Sequence, residues 1–121
     1  MNLFIRDRIL IRITFFQRIG MPNYVWTEFE DSVPMSTYLV AFIVSDLQSM
    51  QKKTKGGTTV RVWARSEALE QASLSLNTAL TVLDHFEDYF QIKFPLPKID
   101  MVALPDFSAG AMENWGLITY R

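Results

Sequence analysis

Apolar residues recur at steps of three and four between Leu69 and Phe90: Leu69, Ala72, Leu76, Ala79 or Leu80, Leu83, Phe86 and Phe90. That period predicts an α-helix with one apolar face, and no other segment has so strong a periodic signal. Ser66 stands where a helix N-cap belongs. Glu67 and Glu70 fall in the first turn, near the positive end of the helix dipole. Pro95-Leu96-Pro97 sets the far limit, because a residue preceding proline avoids the helical region. A helix with a single apolar face needs an apolar layer to lie on.

Candidates for that layer flank the helix. Residues 58–64 (TTVRVWA) alternate, with Val60, Val62 and Ala64 on one face and Arg61 and Trp63 on the other. Residues 36–44 (STYLVAFIV) are β-branched and aromatic, which predicts a buried strand. Lys52, Lys53 and Lys55 lead into Gly56-Gly57, a turn between two strands. A phosphate could be met by those lysines, but a solvated hairpin tip is the better account of them. Residues 27–29 read as a short strand. Residues 30–34 read as a turn, in which Pro34 forbids a central ladder position. After the helix, residues 99–104 (IDMVAL) predict a strand and residues 105–110 a loop. Residues 111–114 read as extended or irregular, and residues 116–120 as a further strand. Residues 9–16 show a partial strand alternation. Arg6, Arg8, Arg12 and Arg18 leave open a basic membrane-surface segment, a strand with a solvated basic face or a non-native leader. The expected class is α+β, with two partial domains that meet near the Lys/Gly turn.

Charge and composition exclude several chemistries. With 12 Lys+Arg against 13 Asp+Glu, the chain presents no global field for nucleic acid. It has no cysteine, so disulfides and thiolate metal sites are excluded. It has one histidine, His85, whereas a catalytic zinc site takes three protein ligands, usually with at least two imidazoles. No metal-binding and no catalytic residue is therefore expected in this chain. His85 and Glu87 are two apart on the expected helix and do not share a face. No apolar run is long enough to span a bilayer.

Chemistry concentrates in residues 104–120 (LPDFSAGAMENWGLITY). Gly110 and Ala111 are small enough for another backbone to approach, so a peptide could lie alongside and pair its main chain there. Glu113 would then present a carboxylate to one end of that peptide. A free peptide amino terminus is a cation, and a partly desolvated carboxylate–ammonium contact is about twice as strong as a neutral hydrogen bond. An internal peptide segment offers no ammonium and would leave the carboxylate unpaired. The plain alternative is an acidic residue solvated in a Gly-rich turn.

Gly110-Ala111-Met112-Glu113-Asn114 is identical to the GAMEN exopeptidase motif of the aminopeptidase N-like zinc metallopeptidases, the gluzincin aminopeptidases. The segments at residues 27–30, 34–44, 62–65, 94–98, 105–107 and 115–121 also resemble that family, in order. The resemblance covers about residues 24–121. It implies that residues 24–56 are the end of an amino-terminal β-sandwich domain and residues 57–121 the start of a thermolysin-like catalytic domain, with residues 1–23 an unassigned leader. It implies that Glu113 binds the substrate α-amine and that Gly110 and Ala111 pair with the substrate main chain. Met112 would line the pocket for the first side chain, Asn114 would help hold the loop, and Phe107 and Ala109 would be supporting neighbours. The family's zinc ligands, from His-Glu-x-x-His and a later Glu, follow the clamp and are absent here, and Tyr120 does not stand in for the later oxyanion-stabilising tyrosine. The resemblance therefore implies a fragment of a zinc aminopeptidase that carries substrate recognition and is inactive alone. The alternative is a catalytically dead module that binds peptide amino termini or regulates a full-length relative. Zinc is the cofactor of the full-length family, peptide is the partner, and any membrane anchor would lie outside the chain. A membrane-associated or extracellular location follows from the same resemblance.

Overall fold

The computed structural model describes the backbone of residues 2–5, and residues 33–121. The alternation at residues 9–16, the arginines beside it and the strand read at residues 27–29 lie outside the described residues.

Five strands form one mixed sheet: β3 (Gln48–Lys53), β4 (Thr59–Ala64), β5 (Lys98–Ala103), β6 (Ala111–Met112) and β7 (Leu117–Tyr120). The spatial order is β3-β4-β5-β7-β6. β3 and β4 are antiparallel, β4, β5 and β7 run parallel, and β6 returns antiparallel to β7 at the far edge. Parallel neighbours need a long crossover. Between β4 and β5 that crossover is the one long helix, α1 (Ala72–Phe90). A two-stranded ribbon of β1 (Asn2–Ile5) and β2 (Phe42–Ser45) stands apart from the sheet in hydrogen bonding. The class is α+β.

The clean alternation of residues 58–64 decides how the layers stack. Val60 and Val62 face α1 and are buried with Ala72 and Leu76, and Met50, Leu69, Ala79, Leu80, Leu83, Ile99 and Met101 pack around them. The opposite face of the sheet has its own core: Leu47, Val102 and Leu117, packed by Ala41, Ile43, Trp63 and Leu104. The Lys/Gly segment is the β3–β4 hairpin turn. The Thr54 N–H donates to the Thr58 carbonyl at 2.9 Å and the Gly57 N–H to the Thr54 carbonyl at 3.1 Å, with Gly57 at φ +92°. Its lysines face solvent or the helix, Lys52 Nζ donating to Asn77 Oδ1 at 2.8 Å.

Three expectations are corrected. Residues 36–44 are not one buried strand. Thr37–Leu39 is a 3-10 turn, the strand proper is Phe42–Ser45, and Tyr38, Val40, Phe42 and Val44 are exposed while Ala41 and Ile43 pack inward. The composition has strand propensity, but only one face finds a partner among the described residues, and propensity yields to that context. Ser66 is not the N-cap of an α-helix. Arg65 caps a 3-10 segment, Ser66–Gln71, and the α-helix begins only at Ala72. Ser66 Oγ donates instead to Glu67 Oε2 at 3.2 Å. A backbone hydrogen bond lowers the Glu67 carboxyl below its ordinary range, with Arg65 and Ser66 adding to the effect.

The third correction concerns the helix end. Leu69 to Leu83 bury as the period predicts, but Phe86 and Phe90 are exposed. A helix of 19 residues is about 28 Å long, whereas the six-residue strand β4 spans about 20 Å. The last turns therefore run past the sheet, and their rings pack on one another: Phe86 on Phe90 at 5.7 Å and Tyr89 edge-on to Phe90 at 5.0 Å. The helix stops at Phe90 with Gln91 left-handed at φ 55°, four residues before Pro95.

Candidate functional site

The five residues of the GAMEN motif sit at the open edge of the sheet formed by the described residues. Ala111 and Met112 are β6 itself, with Ala111 opposite Tyr120 and Met112 opposite Thr119. The Arg121 N–H donates to the Gly110 carbonyl at 3.1 Å, which makes Gly110 and Arg121 a hydrogen-bonded pair in that register. Antiparallel ladders alternate. Ala111, next along, thus turns its own N–H and C=O away from β7 toward the free edge, while the Gly110 carbonyl is engaged within the sheet. Among the described residues and apart from its chain neighbours, nothing lies within 4 Å of a Cβ built on Gly110, so the space beside that residue is open.

Glu113 follows directly and is exposed. Among the described residues its carboxylate has no hydrogen bond or ion pair. Its backbone neighbours, by contrast, are held on both sides. Met112 is in the ladder. Asn114 is buried, and its Nδ2 donates to the Leu39 carbonyl at 3.2 Å while its Oδ1 accepts from Thr119 Oγ1 at 3.4 Å. The Asn114 carbonyl accepts the Leu117 N–H at 2.9 Å, closing the turn that carries Trp115 and Gly116. The 3-10 turn that replaces the expected strand start thus supplies the Leu39 carbonyl for this anchor. Phe107 is half-buried and Ala109 exposed in the loop leading to the clamp.

Behind the turn lies a buried charged cluster to which the sequence reading assigned no role. Lys98 and Asp100, both on β5, are almost fully inaccessible, with Lys98 Nζ 2.6 Å from Asp100 Oδ2. The ammonium directs its hydrogen bond to the Gly116 carbonyl at 2.8 Å, and Asp100 Oδ2 receives its charge without an aligned hydrogen bond. Asp100 Oδ1 accepts from Trp63 Nε1 at 2.9 Å and lies 3.5 Å from Arg61 Nη1. The signal was present in the alternation: Lys98 and Asp100 share the face opposite Ile99 and Met101, and Arg61 and Trp63 share the same face of the neighbouring strand.

The described residues do not fit a catalytic zinc ion. His85 packs against Phe86 and Tyr89 on an exposed side of α1. Its acidic neighbours are occupied elsewhere, Asp84 Oδ1 by the Lys55 N–H at 3.0 Å and Glu87 Oε1 by the Phe94 N–H at 2.7 Å. No group of three His, Cys, Asp or Glu among the described residues converges on a metal position. A recess of about 350 Å³ lined by Lys55, Asp84, Glu87, Asp88 and Lys93 lies at this helix end and includes no residue of the motif. Among the described residues, no helix is long and apolar enough to cross a membrane.

Known proteins match this chain in sequence. Residues 74–121 match the sequence profile of the Peptidase family M1 domain. Endoplasmic reticulum aminopeptidase 1 of Mus musculus is 56% identical over 93 residues, which is 77% of this chain and 10% of the relative. Aminopeptidase N of Haemonchus contortus and glutamyl aminopeptidase of Mus musculus are each 46% identical over 99 residues, 82% of this chain and 10% of each relative. The chain thus spans about a tenth of the length of the curated relatives it matches. With this identity running through most of its length and the M1 domain profile over residues 74–121, the chain belongs to the M1 aminopeptidase family.

Proposed function

We propose that residues 110–114 are the amine clamp of a zinc aminopeptidase that releases amino-terminal residues from peptides. The observation that carries this reading is Glu113: an exposed carboxylate without a partner among the described residues, on a backbone fixed at both sides, at the end of an open strand edge. A peptide adds to the edge as a further strand, bonding the free N–H and C=O of Ala111. Its α-ammonium meets Glu113, and the ladder spacing sets where the first peptide bond lies. Met112 shares its sheet face with Thr119 and lines the place of the first side chain. Asn114 holds the turn.

The same reading assigns these 121 residues recognition without hydrolysis, because one histidine and no cysteine leave no zinc ligand set. Zinc belongs to the full-length family. In this reading residues 24–56 end a β-sandwich unit and residues 57–121 open the catalytic one, so the β3–β4 hairpin joins the two. A membrane-associated or extracellular setting comes with the resemblance, and the endoplasmic reticulum with the name of the mouse relative.

The test grafts this chain's segment in place of the matching 93-residue stretch of the mouse relative. Aminoacyl fluorogenic substrates are compared with their N-acetylated forms. Glu113→Ala is expected to lower kcat/KM for the free-amine substrate roughly tenfold to a hundredfold, the value of a hydrogen bond to a charged group. It should leave N-acetylated substrates unaffected. An unchanged preference for free amines refutes the clamp. Robust hydrolysis by residues 1–121 alone with added zinc refutes the division of labour, and amine-dependent peptide binding without any activity in the graft favours the binding-module alternative.

A further inference from the structure

We infer that Lys98 and Asp100 are positioning residues for the amine clamp: the buried ion pair holds the Asn114–Leu117 turn and, through it, the place of the Glu113 carboxylate. This rests on the clamp reading.

Glu113 has no contact of its own to fix it among the described residues, so its position is inherited from its neighbours. On one side stands β6, which is only two residues long. On the other stands the turn, whose Gly116 carbonyl accepts two hydrogen bonds, from the Asp100 N–H at 3.0 Å and from Lys98 Nζ at 2.8 Å. That carbonyl is thereby fully engaged, one bond from the parallel ladder and one from a buried ammonium. Gly116 is at φ +85°, and a Cβ there would lie 2.8 Å from Leu96 Cδ1. Glycine therefore lets the backbone take this left-handed turn without displacing the Leu96 side chain.

A buried ammonium is costly unless it is paired and hydrogen-bonded. Lys98 is paired with Asp100, and Asp100 in turn is held by Trp63 Nε1 and faced by Arg61. The ion pair lets the buried ammonium reach the Gly116 carbonyl without standing as an isolated charge. Two hydrophobic residues could pack this face of the sheet, as Val102 and Leu117 do. Neither could donate a hydrogen bond to the Gly116 carbonyl. That donor is what the charged pair adds.

The experiment uses the same graft in the full-length relative, with steady-state kinetics on aminoacyl substrates and thermal melts of every variant. Lys98→Met removes the donor but also takes the nearest cation from Asp100, so Lys98→Met/Asp100→Asn is the decisive variant: it removes both charges of the pair and keeps the acceptor for Trp63. Its expected KM rises about tenfold while kcat stays within about twofold, as when binding common to ground and transition states is lost. Trp63→Phe removes a partner of the same cluster without touching Gly116. It should lower the melting temperature and leave KM unchanged. An unchanged KM in the double variant overturns the inference, as does a KM that rises equally in Trp63→Phe in step with lost stability. Glu113→Ala in the same graft separates the two readings. If it abolishes the free-amine preference and the double variant does not shift KM, only the positioning role fails. If it changes nothing, the clamp fails and this role with it.

Discussion

Replacing Gly116 with alanine perturbs the turn in two ways that neighbouring glycines separate. The backbone there is at φ +85°, where an L-residue costs about 1–2 kcal/mol. The added Cβ would also sit 2.8 Å from Leu96 Cδ1. Leu96 is buried, so its methyl has little room, but it is the end of a side chain and can rotate. The steric part therefore falls at the lower end of overpacking costs, about 1 kcal/mol. Relaxation of the backbone is opposed by the two hydrogen bonds on the Gly116 carbonyl. Together these predict a loss of about 2–3 kcal/mol. Gly57→Ala carries the backbone part alone, at φ +92° with nothing within 4 Å, and should lose about 1–2 kcal/mol. Gly110→Ala carries neither, having open space and no positive φ, and should be neutral or gain about 0.5 kcal/mol. Urea titration of the 121-residue chain, followed by far-ultraviolet circular dichroism, gives the three unfolding midpoints. The expected order is Gly110→Ala most stable, then Gly57→Ala, then Gly116→Ala. Equal midpoints for the last two would remove Leu96 from the account. A Gly116→Ala chain as stable as Gly110→Ala would refute the reasoning entirely.

Three further outcomes follow from individual contacts. Asn114→Ala should cost about 1–3 kcal/mol in the same titration, because it leaves the Leu39 carbonyl and Thr119 Oγ1 without their amide partner. Gln91→Gly should raise the melting temperature by relieving a left-handed residue at the end of α1, a gain of about 1 kcal/mol; a lower melting temperature would show that the 2.6 Å bond from Gln91 Nε2 to the Asp88 carbonyl matters more. Burial pushes the Tyr120 phenol above its ordinary value. The unfolded chain then ionises first, so the contribution of Tyr120 is intact below pH about 10 and is lost as pH rises through the raised folded value. Tyr120→Phe should therefore lose less stability than the parent between pH 9 and pH 11; parallel losses would deny the shift.

Much of the helix and the strands flanking it is legible from local sequence. The step of three and four carries Leu69 to Leu83, and the alternation of residues 58–64 assigns Val60 and Val62 to one core and Trp63 to the other. Where the reading failed, the missing information was nonlocal. Nothing near Ser66 says that the first six residues wind as a 3-10 segment, and nothing near Phe86 says that the sheet has already ended. The strand propensity of residues 36–44 was real, but a neighbour 75 residues away, Asn114, draws the Leu39 carbonyl into its own anchor.

The candidate site divides in the same way. Composition alone argued against a catalytic zinc ligand set in this chain, and five consecutive residues marked the segment proposed as the amine clamp, because both depend on which side chains exist and in what order. The strand order β3-β4-β5-β7-β6 decided that Ala111 lies on an open edge. It also decided that Lys98 and Asp100 are buried behind the Gly116 turn, with Asp100 against Arg61 and against Trp63, 37 residues earlier. A hydrogen-bond ladder joins residues that the sequence keeps far apart, and its register sets which backbone groups are satisfied and which remain for a substrate. That choice belongs to the tertiary structure, since an exposed edge and a buried charge are defined only by what packs beside them.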